Sequence, residues 1–265
     1  MAEEEKIPKI IHYGWFGGKE MPLTDKQCLK SWEKYFPGFE IKRWDESNFA
    51  FDIPYMKRFS SDKKWGLLID FVKFKVLYNY GGIYLDTDMM VLKNMDELLK
   101  YDSFWGFESK ENVNTAIIGS MSGNEIISEC LKFYYDFKFD DTFKESPKII
   151  SPVLKSLGMT SDTGQLQILG NTAIFPMHYF YPMSFQQADE DYKKFIKPDS
   201  YAIHLWNATW FDPFRFFWNN RYKAGFKAVF KQIIKNPFQS ISFYRNVGYH
   251  FLRFIKTKIL HANSR

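Results

Sequence analysis

The chain has 265 residues and a mass of 31.6 kDa, room for one large domain or for a domain with an extension. At 45% hydrophobic and 25% charged it has the composition of a globular protein and not of a disordered or fibrous one. A net charge of +5 conceals an asymmetry: residues 214–265 hold 11 Lys or Arg and no acidic residue, while the first 213 residues hold 25 basic and 31 acidic ones.

The N-terminus, Met1-Ala2-Glu3-Glu4-Glu5-Lys6, is acidic and has no apolar centre, which argues against a secretory signal. No run of about 18 apolar residues suggests a spanning helix. Two cysteines, Cys28 and Cys130, cannot build a disulfide framework. They are expected to be reduced, buried and cytoplasmic.

Residues 7–13 (IPKIIHY) predict a buried strand ended by the Gly17-Gly18 turn. Leu23-Thr24-Asp25 offers cap residues for a helix reaching about Tyr35, with Cys28, Leu29 and Trp32 on one side. Pro37-Gly38 stops it, and 39–44 (FEIKRW) alternates as a second strand, a βαβ pattern of α/β type. Residues 64–80 form a helix with Trp65, Leu68, Val72 and Val76 as its apolar stripe and Lys73, Lys75 and Asn79 off it. Gly81-Gly82 stands where a C-cap belongs.

Residues 83–92 then read as a strand interrupted by Asp86-Thr87-Asp88. After a short helix come strands near 104–107 and 116–120, a helix over 125–137, and a polar, less regular stretch over 140–170. Residues 202–206 predict one more short strand.

Asp86 and Asp88 carry the chemistry. Placed two apart on a strand they would project to one side. Two hard oxygen ligands at a strand end suit Mg²⁺ or Mn²⁺, which keep waters and bind substrate phosphates. Strand ends are also where open α/β sheets hold ligands. A solvated turn is the plain alternative for any isolated D-x-D.

The stretch from Leu68 to Asp88, with Asp70, Lys73, Gly81-Gly82, Tyr84 and Asp86-Thr87-Asp88, resembles the signature of the D-x-D sugar transferases. That family includes capsular-polysaccharide glycosyltransferases, fungal initiating mannosyltransferases and the glucosyltransferase domain of the large clostridial toxins. Residues 10–18 (IIHYGWFGG), Ser31-Trp32, Asn114-Thr115 and 204–210 (HLWNATW) are similar to further family motifs, so the resemblance spans roughly 7–212. The family's Ser-Asp is Ile69-Asp70 here and its Arg is Lys73, a point charge in place of a planar fork.

The resemblance implies an α/β fold of GT-A type over 1–213, with a mainly helical extension over 214–265. It implies a retaining glycosyltransferase (a hexosyltransferase), a nucleotide-sugar donor with UDP favoured, and a Mn²⁺ or Mg²⁺ cofactor. Asp86 and Asp88 become the catalytic and metal residues, and Trp15, Asp70, Lys73, Tyr84, Asn114, Thr115, Thr209 and Trp210 the donor-binding set. His204, at the end of a short apolar strand, reads either as a third metal ligand or diphosphate contact or as a hydrogen-bonded core histidine. A noncatalytic nucleotide-sugar- or glycan-binding protein is the competing reading, suggested by Ile69 and Lys73.

The tail interleaves 13 aromatics with its 11 cations. Over 222–234, Tyr222, Phe226, Val229, Phe230 and Ile233 recur at helical spacing opposite Lys223, Lys227 and Lys231. Pro237 breaks the pattern and 243–260 repeats it. Basic, aromatic, amphipathic helices point to an anionic membrane surface rather than to nucleic acid, the plain alternative being a pair of ordinary helices packed on the catalytic domain with solvated lysines. The expected acceptor is a glycan or lipid-linked glycan, such as a surface- or capsular-polysaccharide intermediate, at the inner face of the membrane.

Overall fold

The computed structural model describes residues 4–138, 144–207, 213–218, 221–235, 237–238 and 240–262. In its first compact unit, Met1–Ser184 with Tyr192–Asn207, β1 (Ile10–Gly14), α1 (Leu23–Tyr35) and β2 (Glu40–Trp44) form the expected βαβ start. Next come α2 (Pro54–Ser61), α3 (Trp65–Tyr80), β3 (Gly82–Leu85) and β4 (Met89–Val91). They are followed by β5 (Ser103–Ser109), β6 (Asn112–Ser120), α4 (Glu125–Tyr135) and α5 (Ser146–Ser156), then β7 (Gln167–Leu169), β8 (Thr172–Phe175), α6 (Met177–Phe180) and β9 (Ala202–His204).

Seven strands form one mixed sheet in the order β2-β1-β3-β6-β5-β8-β7. The strand β1 runs parallel to both β2 and β3, whereas β6 lies antiparallel to β3 and β5. A second, two-stranded sheet pairs β4 with β9, setting Met89 opposite His204. One face of the large sheet buries the aromatic core of α2, α3 and α4, including Tyr55, Phe71 and Tyr134. The other buries Trp32, Phe36, Phe104 and Phe180.

Residue chemistry explains where the chain turns at the site. Gly81 ends α3 with φ +64, and Gly82 follows at φ +104, where a Cβ would stand 2.5 Å from the Ile10 carbonyl oxygen. Only glycine permits both the left-handed turn and the close approach of β3 to β1.

Three sequence expectations need correction. First, α3 is no amphipathic surface helix: it is enclosed on nearly every side, and Lys73, expected off the apolar stripe, is only 2% exposed. Second, Thr24 and Asp25 do not cap α1, whose N-terminus has no side-chain cap. Third, the stretch read as irregular holds α5 and β7. The helix α5 carries Pro147 near its start and Pro152 inside, residues whose low helix propensity hides its apolar face of Ile149, Ile150 and Leu154.

The second compact unit comprises Phe185–Asp191 and Ala208–Arg265. It contains α7 (Pro213–Trp218), α8 (Tyr222–Lys235) and α9 (Ile241–Ala262) around a small core of Phe217, Val229 and Phe243. Segment 185–191 joins it through an Arg221–Asp189 ion pair of 3.1 Å and the stacking of Arg221 on Phe185 at 4.4 Å. Among the described residues no helix is long and apolar enough to cross a membrane.

Candidate active site

The parallel strands β1 and β3 end at one edge of the sheet, so Trp15 and Asp86 emerge at neighbouring carboxyl ends. The strand β3 stops at Leu85, and the Asp86 carbonyl accepts the Met89 N–H at 3.0 Å. Asp86-Thr87-Asp88 is therefore a tight turn and not a strand, so simple alternation does not set the two carboxylates on one side. Asp86 turns toward α3 and Asp88 toward β9.

Asp86 is anchored by its own N–H, which donates to the Ala116 carbonyl at 2.8 Å. Its Oδ1 lies 3.3 Å from the Lys73 ammonium. Lys73 also lies 3.3 Å from Asp70 and donates to the Thr115 carbonyl and hydroxyl at 3.2 and 3.3 Å. Burial opposes its charge, but Asp86 and Asp70 outweigh that and raise the lysine pKa, so the ammonium persists. Burial likewise raises the pKa of Asp86, against the pull of Lys73.

Asp70 accepts from the Ser146 hydroxyl and N–H at 2.7 and 3.1 Å, pinning the first turn of α5. Thr115 is buried, with its hydroxyl 2.6 Å from that of Ser146. Lys73, Asp70 and Thr115 thus form an enclosed network behind Asp86. Of the candidate donor contacts, Lys73 and Thr115 present no open polar edge in this arrangement.

Asp88 is held from two sides. Its Oδ1 lies 3.1 Å from His204 Nε2, and its Oδ2 accepts the Asn207 N–H at 2.8 Å. Burial works against the Asp88 anion, yet the charge and hydrogen bond of His204, with the Asn207 N–H, hold its pKa below the usual carboxylate range. Burial also opposes the His204 cation, and Asp88 overcomes it, raising the imidazole pKa. His204 packs against Trp206 with ring centroids 3.9 Å apart and the rings tilted by 35°.

Trp15 is half-buried and donates its indole N–H to the Lys19 carbonyl at 2.6 Å. Tyr84 is fully buried beside Gly14, with the Lys73 ammonium 5.2 Å from its ring centroid. Asn114 donates to Glu108 at 2.5 Å and accepts from the Ala116 N–H at 2.7 Å. Thr209 and Trp210 lie outside the described residues.

Three polar residues at the site have no site role of their own in the sequence reading: Asp25, Glu108 and Asn207. Burial raises the pKa of Glu108, which Asn114 opposes. Asp25 sits in the first turn of α1, where an acidic residue reads as a helix-end signal. Asn207 falls inside the HLWNATW stretch and was visible there only as part of a pattern.

Among the described residues no three His, Cys, Asp or Glu side chains converge as a ready-made metal cage. The donor set still fits a hard divalent cation, because Mg²⁺ and Mn²⁺ sites commonly use one or two carboxylates and leave the remaining positions to water and phosphate. Asp86 and Asp88 would hold it, and His204 could join them only by giving up the proton it shares with Asp88. His204 Nδ1 is buried with no hydrogen-bond partner among the described residues, so the hydrogen bond that orients this imidazole is the one to Asp88.

A mixed sheet flanked by helices, with a carboxylate pair at the carboxyl edge of its parallel strands, defines the class, an α/β protein. Residues 22–105 match the family model of the glycosyltransferase sugar-binding region containing the DXD motif, and residues 120–224 match the alpha 1,4-glycosyltransferase conserved region. Over these two stretches the chain is similar to the DXD-motif sugar transferases.

Among curated relatives, it is similar to inositol phosphoceramide mannosyltransferase 3 of Schizosaccharomyces pombe, with 30% identity over 52% of this chain and 40% of the relative. It is also similar to the lactosylceramide 4-alpha-galactosyltransferase of Mus musculus, with 26% identity over 65% of this chain and 51% of the relative. The chain thus spans about half the length of these relatives. A solved glycosyltransferase involved in glycosylation of the PBCV-1 major capsid superposes with TM-score 0.45 and 13% identity, over 75% of this chain and 94% of that one.

Proposed function

We propose that the chain is a metal-dependent, retaining glycosyltransferase that moves a hexose from a nucleotide-sugar, with UDP favoured as the base, to a glycan or lipid-linked glycan. The observation that carries this reading is the meeting of Asp88 and His204, 116 positions apart in sequence, at the end of the strand that bears the D-x-D turn. In this reading Trp15 supplies an aromatic face for the donor base, and Asn114 with Glu108 presents polar groups toward the sugar. When bound, the cation would neutralise charge that develops on the departing diphosphate.

The chain's own part is electrostatic. Lys73 opposes the burial that raises the Asp86 pKa, and His204 holds Asp88 as the anion, in a site of low dielectric. The relatives' names, lactosylceramide and inositol phosphoceramide transferases, support an acceptor with a lipid part. A surface- or capsular-polysaccharide intermediate is the acceptor we favour. The basic, aromatic helices over 214–265 would then hold the enzyme peripherally at the inner face of an anionic membrane.

The test is nucleotide release from a panel of UDP- and GDP-sugars with Mn²⁺, Mg²⁺ or EDTA. Release from one donor, abolished by EDTA, is expected. Absence of both release and cation-dependent donor binding across the panel would overturn the reading.

A further inference from the structure

The α1 residue Asp25 is 1% exposed, yet it has no capping role in its own helix. Its Oδ2 accepts from the Thr87 hydroxyl, the middle residue of the D-x-D turn, at 2.7 Å. Its Oδ1 accepts from the Asn207 side-chain amide at 2.6 Å, and Thr24 receives the same amide at 2.9 Å. Asn207 in turn donates its backbone N–H to Asp88 Oδ2 at 2.8 Å. One buried carboxylate therefore grips both the turn that carries Asp88 and the residue that orients Asp88.

The backbone leading into this grip is strained. Trp206 stands at φ +54, a left-handed conformation that a bulky residue adopts only when its surroundings impose it. Those surroundings are the Trp206 indole N–H on the Met183 carbonyl at 2.8 Å and the tilted packing of its ring on His204. The strained turn aims the Asn207 N–H at Asp88. Helix α1 is tied directly to β4 as well, since Trp32 donates to the Met89 carbonyl at 2.7 Å and Ser31 accepts the Val91 N–H at 2.9 Å.

We infer that Asp25, acting through Thr87 and Asn207, is the positioning residue of the site: it fixes the Asp88 carboxylate in the single orientation that a divalent cation and donor diphosphate require. Each carboxylate oxygen of Asp88 spends one lone pair on His204 or Asn207, and the pairs left over are aimed by that restraint. This rests on the transferase reading above. Outer partners that orient a ligand typically account for about 10- to 100-fold in metal affinity.

The geometry also separates position from charge. Asparagine at position 25 can still accept from Asn207 through its oxygen and donate to the Thr87 hydroxyl through its amide. Asp25→Asn thus keeps the grip and removes the charge, whereas Asp25→Ala removes both.

The experiment is a Mn²⁺ titration of the full chain with UDP present, read by the electron paramagnetic resonance of free Mn²⁺. It is run on wild type, Asp25→Asn, Asp25→Ala and Asn207→Ala, with the Tm of each cation-free protein. Asp25→Ala and Asn207→Ala are expected to weaken Mn²⁺ binding by about tenfold or more. Asp25→Asn should stay within about threefold of wild type. Asn207 is only partly buried, so its variant keeps the test decisive even where Asp25→Ala fails to fold. Wild-type affinity in Asn207→Ala and in any folded Asp25→Ala overturns the inference and leaves the transferase reading standing. Equal loss in Asp25→Asn and Asp25→Ala overturns it in favour of a charge effect. A wild type that takes up no Mn²⁺ with UDP overturns this inference and the reading beneath it together.

Discussion

Lys73 shows how a single side chain at this site is committed before any ligand arrives. Its ammonium is enclosed by Asp70, Asp86 and Thr115, so removing it would strand two carboxylates in a buried setting. Breaking such a pair costs about 3–5 kcal/mol. Lys73→Met is therefore expected to lower unfolding free energy in urea by about that amount and to depress donor turnover as Asp86 takes up a proton. Asp88→Ala tests the site itself: metal-dependent donor turnover should fall by roughly 10²–10³-fold, the several kcal/mol carried by a properly held cation. Turnover equal to wild type would exclude Asp88 from the chemistry.

His12 makes a separate residue-scale prediction. The Trp44 indole can only donate, and at 3.1 Å from His12 Nδ1 it makes that nitrogen the acceptor. Nε2 must then carry the proton donated to the Gly81 carbonyl at 2.8 Å. A second proton would face the Trp44 N–H in a dry core, and burial pushes the His12 pKa down to about 4. The folded protein thus resists a proton that the unfolded chain accepts near pH 6.5. The His12 contribution is complete above that pH and is lost as pH falls toward 4, on the order of 3 kcal/mol. Urea midpoints measured from pH 7 to pH 4 should fall accordingly, and His12→Gln should flatten the slope.

At the scale of elements, the strand β3 links core to chemistry. Its first residue, Gly82, lies against the Ile10 backbone, so any side chain there must push β1 and β3 apart. Gly82→Ala is expected to destabilise the fold by on the order of 3 kcal/mol or more, visible in thermal unfolding, and to shift the Asp86 turn with it. Most elements were legible because their patterns were local: the α3 helix, its glycine stop and the β1-α1-β2 start all follow from spacing and punctuation. The helix α5 escaped because Pro147 and Pro152 lower its propensity, and tertiary burial of Ile150 and Leu154 overrides that. Thr24 and Asp25 misled for a related reason. A cap residue and a site carboxylate are the same residue type, and only the position of β9 decides between them.

At the scale of the whole molecule, the basic tail over 214–265 falls in the second compact unit, which also takes in Asp189, Glu190, Asp191 and Asp212. The second unit exposes Phe238 at 91%, between α8 and α9, and Ile241 at 82%, the first residue of α9. Binding to phosphatidylglycerol vesicles by sedimentation should weaken about 100-fold in the triple variant Lys223→Glu, Lys227→Glu, Lys231→Glu, at ~1 kcal/mol per cation. Donor release by that variant should be unchanged, and vesicle binding equal to wild type would dismiss the membrane assignment.

Sequence by itself determined the class of this protein. The D-x-D turn, the glycine stop before it and the alternation of helix and strand are short-range features, written in consecutive residues. Tertiary structure alone decided which carboxylates share the site and how each is held. Asp88 gains its partners from His204 and Asn207, and Asp25 reaches both Thr87 and Asn207 across the fold. Those contacts join residues up to 182 positions apart. Hydrogen bonds and charge act over a few ångströms of space, and only the packed sheets bring these groups within that range.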